Sequence, residues 1–255
     1  MSDLAVDAIK TGMLGTRETV ETVVAALRKL PGIPLRIHGE HFEVDASKPL
    51  PMGTSEHGVG EGFSVTPPLS LYGTTKKCSE DLALEYASAF NMPVWINRCG
   101  VMAGAGQFGR ADQGIVAYWI HSWRERRGLK YLGFGGHGHQ VRDVLHPDDL
   151  AMLLIKQIEC GDATSKPRLA NVGGGMASAF SLAELSAWCQ QHFGYDVPVQ
   201  RSGDDRPFDL AWIVLDDRKI RSAWDWQPQK SREEVFAEVA QFAECNPEWM
   251  SISAP

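Results

Sequence analysis

The stretch SLYGTTKKCSEDLALEYASAF (70–90), followed by VWINRCGV (94–101), decides the fold. From Thr74 to Phe90 the pattern is helical, with Leu82, Leu84, Tyr86, Ala87 and Phe90 available for an apolar face, and Pro93-Val94-Trp95-Ile96 then forms a short buried-strand candidate. A helix leading into an apolar strand is the rhythm of an α/β sheet. At the head of this helix Tyr72 and Lys76 stand four residues apart, a spacing that puts two side chains on one face, one turn from each other. A phenol ionises near pH 10 in water, and an adjacent ammonium favours the phenolate, so the pair suits a proton carrier. A tyrosine and a lysine also meet at this spacing by chance, so the motif takes its meaning from its surroundings.

Upstream, ETVETVVAALRKL (18–30) has helical spacing and stops before Pro31-Gly32. PLRIHGEHFEV (34–44) predicts two short strands around His38-Gly39-Glu40, and the Pro/Gly/Ser-rich 45–69 a long surface excursion. Downstream, 114–123 and 147–160 predict helices, and LAWIVLD (210–216) alternates like a strand. Ser181-Leu-Ala-Glu184 and Ser231-Arg-Glu-Glu234 are capping boxes that open two more helices. Gly133-Phe-Gly-Gly-His-Gly138 fits GxGxxG by letter, but QVRDVLH after it reads as strand, so it is taken as a glycine turn. Gly12-Met-Leu-Gly15 follows no buried strand and is likewise no dinucleotide fingerprint.

Composition narrows the classes. With 44% hydrophobic and 22% charged residues the chain is globular rather than disordered. A formal charge of -7 repels a phosphate polymer, and the locally basic WRERRGLK (123–130) is too short to reverse that, so nucleic acid is not an expected partner. A small phosphorylated ligand stays open, because one or two placed arginines can bind a diphosphate whatever the net charge. The cysteines Cys78, Cys99, Cys160, Cys189 and Cys245 are odd in number and form no CxxC, which suggests neither a disulfide framework nor a zinc site and fits a reducing cytoplasm. His146 before Pro147-Asp-Asp reads as a helix cap rather than a metal ligand, and no metal is assigned. No membrane span or signal peptide is expected from the apolar runs or from MSDLAVDAIK at the N-terminus.

The Tyr-xxx-Lys helix and the strand after it resemble those of extended short-chain dehydrogenases/reductases, the NAD-dependent epimerase/dehydratase family. GAGQFGRADQGIVAY (104–118), GHQVRDVLHPDDL (138–150) and 168–184 with NVGGG and SLAEL are similar in order and spacing to nucleotide-sugar epimerases. QFGRADQG with QVRDVLH narrows the resemblance to epimerases of CDP-linked deoxysugars, over roughly Pro34 to Trp226. The implied architecture is α/β: a partial Rossmann-like parallel sheet flanked by helices, plus a smaller C-terminal α/β substrate-binding region. Residues 1–33 would be a divergent N-terminal segment, 34–160 the Rossmann-like catalytic portion and 161–255 mainly the substrate-binding region, with a linker inside 161–180.

The resemblance also implies a cofactor, NAD, a nucleotide-diphosphate sugar as ligand, and a possible homodimer. Tyr72 and Lys76 would serve the hydride-transfer centre and touch the cofactor, with Arg98 and Cys99 near the nicotinamide. Cys99 also reads as a simple small buried residue. The family's third partner, a Ser/Thr from an earlier strand, has only Thr16 and Thr19 as weak matches. Gln107, Phe108 and Gln113 would form the substrate-side loop, though a Phe is more often core. Arg142 would bind the nucleotide diphosphate, against an ion pair with Asp143 or Asp148, and Arg201 and Arg206 would close on the nucleotide. In such enzymes a tyrosinate removes a hydroxyl proton while hydride passes to NAD, and hydride return to the opposite face inverts the carbon.

The strand, glycine-rich turn and helix that hold the NAD pyrophosphate in the family are expected to be missing, along with about a hundred residues of that half. That expectation leaves a noncatalytic nucleotide-sugar-binding remnant as the alternative, and a poorly folding truncation as a third reading. A 4-epimerase or a dehydratase would share the Tyr/Lys pair, although no Asp-Glu pair stands where dehydration would use one.

Overall fold

A computed structural model describes residues 32–66, 69–110, 113–161, 163–202 and 209–253. The expected helix at 18–30, the Gly12–Gly15 turn, Thr16, Thr19 and Arg206 lie outside the described residues.

The hairpin read around His38-Gly39-Glu40 is present, with β1 (Leu35–His38) antiparallel to β2 (His41–Val44). The long excursion after it is more structured than expected. It carries a second small hairpin, β3 (Thr54–Ser55) with β4 (Gly58–Val59), and Val59 is buried against Val141, Trp212 and Val214. One inward-facing valine is enough to tie a polar loop to the core, and composition averaged over 45–69 hides it.

Helix α1 (Leu71–Ala89) begins at Ser70, whose hydroxyl accepts from Gly73 N, three residues ahead of the expected start. Its expected apolar face is not the buried one: Ala87 is buried, whereas Leu82, Tyr86 and Phe90 are exposed, Tyr86 stacking on Phe90. The strand that follows is β5 (Ile96–Cys99), shifted by three residues from the apolar run, and β6 (Val101–Met102) continues it.

Further along come α2 (Ile115–Arg124), β7 (Leu129–Leu132), β8 (Val141–Leu145), α3 (Pro147–Ile158) and β9 (Leu169–Val172). They are followed by β10 (Ala179–Ser181), α4 (Leu182–Phe193), β11 (Val199–Ser202), β12 (Trp212–Ile213), α5 (Arg218–Trp224), α6 (Arg232–Cys245) and α7 (Trp249–Ser253). The glycine turn at 133–138 leads into strand β8, as its sequence context requires. Both capping boxes form, with Ser181 and Glu184 opening α4 and Ser231 and Glu234 opening α6. Within LAWIVLD only Trp212–Ile213 is strand, with one further bridge from Leu215 to Val59.

The sheet topology is that of an α/β protein. Strand β8 pairs in parallel with β6 and β12 and antiparallel with β10, while β5 runs parallel to β9 and β7 parallel to β11. Several of these pairs join residues from opposite sides of position 160. The main core lies between α2, α4 and α6, where Val116, Trp119, Ile120 and Trp123 meet Leu185, Cys189, Val235, Phe236, Val239 and Ala240. The Trp119 indole donates to Ser186 Oγ at 2.9 Å and stacks on Tyr131, so the large ring is buried with its polar end satisfied.

Buried in this core, 2% exposed, is His121, whose pKa falls from the usual range to about 4 because burial disfavours the cation and Arg124 repels it. The unfolded chain takes up this proton near pH 6.5 and the folded chain only near 4, so His121 subtracts stability as pH falls through that window and not above it. Replacing His121 with Leu is expected to make the urea midpoint fall less steeply than wild type between pH 7 and pH 4. Parallel curves for the two proteins would show that His121 is not held neutral.

Candidate active site

Five of the residues singled out from the sequence meet at one cleft. Tyr72, Gln107, Phe108, Gln113 and Arg142 line a cavity of about 600 Å³, together with Val101, Met102, Phe180, Leu182, Gln140 and Asp209.

Tyr72 stands in the first turn of α1 and is exposed at this mouth, and the Lys76 ammonium lies 5.4 Å from the centre of its ring. The one-turn spacing has thus produced contact. Two turns after Tyr72 the same helix face carries Glu80, and Arg98 of β5 forks onto it with Nε–Oε1 at 2.6 Å and Nη2–Oε2 at 2.7 Å. Arg98, expected beside the cofactor, therefore ties the Tyr72 helix to the sheet. Glu80 raises its pKa above even the usual guanidinium range, by hydrogen bonding first. Cys99 is half-buried in β5, and burial pushes its thiol pKa up, which leaves it protonated.

Gln107, Phe108, Gln113 and Gly114 form another part of the wall. Gly114 sits at φ +69, where a Cβ would fall 2.3 Å from the Phe108 carbonyl oxygen, so the turn closes only with glycine. Phe108 is exposed at the cleft and stacks on Trp249 of α7 with centroids 5.4 Å apart, and the Trp249 indole donates to the Gln107 carbonyl at 3.0 Å. Phe108 is thus a braced wall of the cleft rather than core.

Arg142 comes from β8. Neither carboxylate considered from the sequence is its partner: Nη2 binds Asp209 Oδ1 at 2.7 Å, and Nη1 binds the Val141 carbonyl. Asp143, next along the strand, points the other way into the core and is 1% exposed. It accepts from Gly175 N at 3.2 Å and Leu215 N at 3.4 Å, and burial raises its pKa to about 6, with Asp217 adding to the effect. His146 is the N-cap of α3, accepting from Asp148 N at 3.1 Å, with Nε2 3.0 Å from Glu238 Oε1. Among the described residues no group of three or more His, Cys, Asp or Glu could hold a metal ion. Asp217 is the N-cap of α5.

Arg201 lies elsewhere. It is on β11 and borders a second cavity of about 590 Å³ with Glu40, His137, His139 and Gln190, so the structure does not bring Arg142 and Arg201 to one cleft. Gln140 and Asp209, which sequence reading passed over, do belong to the first one. Gln140 was open to discovery, because it precedes Arg142 by two positions and alternate residues of an extended chain face the same way. Asp209 reaches Arg142 only through the tertiary fold.

Residues 50–173 match the model of the NAD dependent epimerase/dehydratase family. The chain is 32% identical over 169 residues to the CDP-paratose 2-epimerase of Salmonella typhi, covering 64% of this chain and 48% of that protein. It is 26% identical over 191 residues to the UDP-glucuronate 4-epimerase of Thermodesulfobacterium geofontis (strain OPF15), covering 73% of this chain and 54% of that protein. The chain thus spans about half the length of the curated relatives it matches. Among solved structures it is similar to UDP-glucuronic acid 4-epimerase from Bacillus cereus in complex with UDP-glucuronic acid and NAD (TM-score 0.62, 21% identity, 76% of this chain and 58% of that one). The UDP-glucose 4-epimerase of Thermotoga maritima with UDP-glucose gives a TM-score of 0.62 at 22% identity over 71% of this chain and 56% of that one. These two likenesses show the fold, a Rossmann-like α/β arrangement of parallel strands flanked by helices.

Because the Arg98–Glu80 pair is largely buried, removing one partner leaves the other charge uncompensated. Glu80→Ala is expected to lower stability by about 2 kcal/mol in urea denaturation, more than an exposed ion pair contributes. A loss under about 0.5 kcal/mol would show that the helix is anchored by other contacts.

Proposed function

We propose that this chain provides the substrate-side and proton-transfer residues of a nucleotide-sugar epimerase, acting on a CDP-linked deoxysugar by transient oxidation and hydride return. The observation that carries the reading is the cleft shared by Tyr72 and Arg142, with Lys76 over the Tyr72 ring. A planar guanidinium suits a diphosphate, for which it can offer two parallel hydrogen bonds. Asp209 occupies part of that fork and would give way to, or share it with, the incoming phosphate oxygens.

In this reading Tyr72, acting as the phenolate, takes the proton from the sugar hydroxyl at Oη and later returns it, and the Lys76 ammonium stabilises the phenolate before the uptake and after the return. The apolar Val101, Met102, Phe180 and Leu182 surfaces exclude water around the sugar, and Gln107, Phe108 and Gln113 orient it. Arg201 borders the second cavity rather than this cleft, and Arg206, outside the described residues, remains a candidate contact to the nucleotide.

Tyr72 and Lys76 fit the nicotinamide side of NAD, since both lie at the exposed head of α1. When bound, that cofactor accepts the hydride and gives it back. Arg98 serves it indirectly by fixing α1, and Cys99 through its place at the end of β5. Thr16, outside the described residues, is the remaining candidate for a third hydroxyl. The second reading is a module that binds the nucleotide sugar without turning it over. A homodimer belongs to the first reading, supported by the apolar Leu82, Tyr86 and Phe90 side chains that α1 exposes. A cytoplasmic setting is supported by the five cysteines, all free thiols. Among the described residues no helix is long and apolar enough to cross a membrane.

Incubation of the purified chain with NAD and a CDP-linked deoxysugar, followed by proton NMR, is expected to show inversion at one sugar carbon. Tyr72→Phe is expected to slow it at least about a hundredfold, the scale of a lost general base. Nucleotide-sugar binding without turnover would favour the binding module, and turnover unchanged by Tyr72→Phe would remove Tyr72 from the chemistry.

A further inference from the structure

Gln140 stands immediately before β8 and is 9% exposed. Its Nε2 donates to the Leu132 carbonyl at 3.0 Å, and because a carbonyl only accepts, that bond fixes which end of the amide is nitrogen. The oxygen end is thereby an acceptor at a defined position, and it is buried with no hydrogen-bond partner. Gln107, on the loop side of the same cleft, repeats the arrangement: its Nε2 donates to the Met102 carbonyl at 2.8 Å, and its Oε1 is buried without a partner. Buried side-chain acceptors are nearly always satisfied, so two orphans bordering one cavity mark a place for donors that the protein does not itself supply.

Position decides which part of a ligand would supply the donor to Gln140. Gln140 and Arg142 are two residues apart in an extended segment, which separates their Cα atoms by roughly 6.6 Å and turns both side chains to the same side. Both line the cleft, with the apolar Phe180 and Leu182 beside them. A diphosphate gripped by Arg142 therefore has its nucleoside within reach of Gln140.

Resting on the reading of this cleft as a nucleotide-sugar site, we propose that Gln140 is a nucleoside-recognising residue. Its amide oxygen accepts a hydrogen bond from a donor group of the bound nucleotide, either the exocyclic amine of cytosine or a ribose hydroxyl. Leu132 acts through Gln140 by holding the amide in the accepting orientation. An amide locked this way presents oxygen and cannot rotate to present nitrogen, so it discriminates donors from acceptors. The cytosine amine is a donor, whereas uracil carries a carbonyl acceptor at the same position.

The test is calorimetric titration of the full chain with CDP, UDP, 2′,3′-dideoxy-CDP and inorganic pyrophosphate, using wild type and Gln140→Met, which keeps the side-chain length and removes the acceptor. The variant is expected to bind CDP about tenfold more weakly, equivalent to about 1.4 kcal/mol, with pyrophosphate affinity unchanged. In the wild type, a comparable preference for CDP over UDP assigns the donor to the amine, and one for CDP over the dideoxy nucleotide assigns it to a ribose hydroxyl. Equal CDP affinity in wild type and folded Gln140→Met would overturn the proposal, as would equal wild-type affinity for all three nucleotides, a result that does not depend on the variant's folding. Failure of the wild type to bind any nucleotide would instead bring down the reading of the cleft, and the proposal with it.

Discussion

The carboxylate of Asp143 is the interaction on which the site depends. It lies at 1% exposure among backbone groups from three separate segments, accepting from Gly175 N after β9 and Leu215 N after β12 while belonging to β8. The approach is so close that a Cβ on Gly173 would fall 2.1 Å from Asp143 Oδ2, and one on Gly100 2.9 Å from it. Glycine at those positions is therefore a steric requirement of a buried acid rather than a sign of a phosphate loop. The acid's raised pKa records the cost of this burial, which two backbone donors offset in part.

A strand alternates its side chains, so anchoring Asp143 inward commits Arg142 outward to the cleft. The same clasp joins the middle of β8 to the segments that follow β9 and β12, and β8 pairs with β6, whose Val101 and Met102 form part of the cleft wall. Other parts of the cleft are carried by α1, fixed by the Arg98–Glu80 fork, and by Gln107 and Phe108, braced by Trp249. Cleft shape thus follows from three independent anchors, each a polar or stacked contact rather than general hydrophobic burial.

Local signals carried much of this. The helix bearing Tyr72 and Lys76, both capping boxes, the hairpin at His38–His41, the glycine turn before β8 and the His146 cap all follow from spacing and short-range chemistry. The resemblance drew Gln107, Phe108, Gln113 and Arg142 to one site. What failed needed distance information. The apolar stripe of α1 predicts burial from composition, yet burial depends on what lies opposite, and Leu82, Tyr86 and Phe90 are exposed. Arg98 has the residue type for a ligand contact, but Glu80, eighteen residues earlier, claims it. Asp209 was invisible because it meets Arg142 across 67 residues of chain.

The central claim is that the cleft between Tyr72 and Arg142 receives a nucleotide diphosphate. The most direct measurement is a crystal structure of the chain grown with CDP. The account predicts the diphosphate oxygens within about 3 Å of the Arg142 guanidinium, with the Asp209 pair opened or shared and the nucleoside against Gln140. A diphosphate seated instead on Arg201 in the second cavity, with the Arg142–Asp209 pair intact, would contradict it.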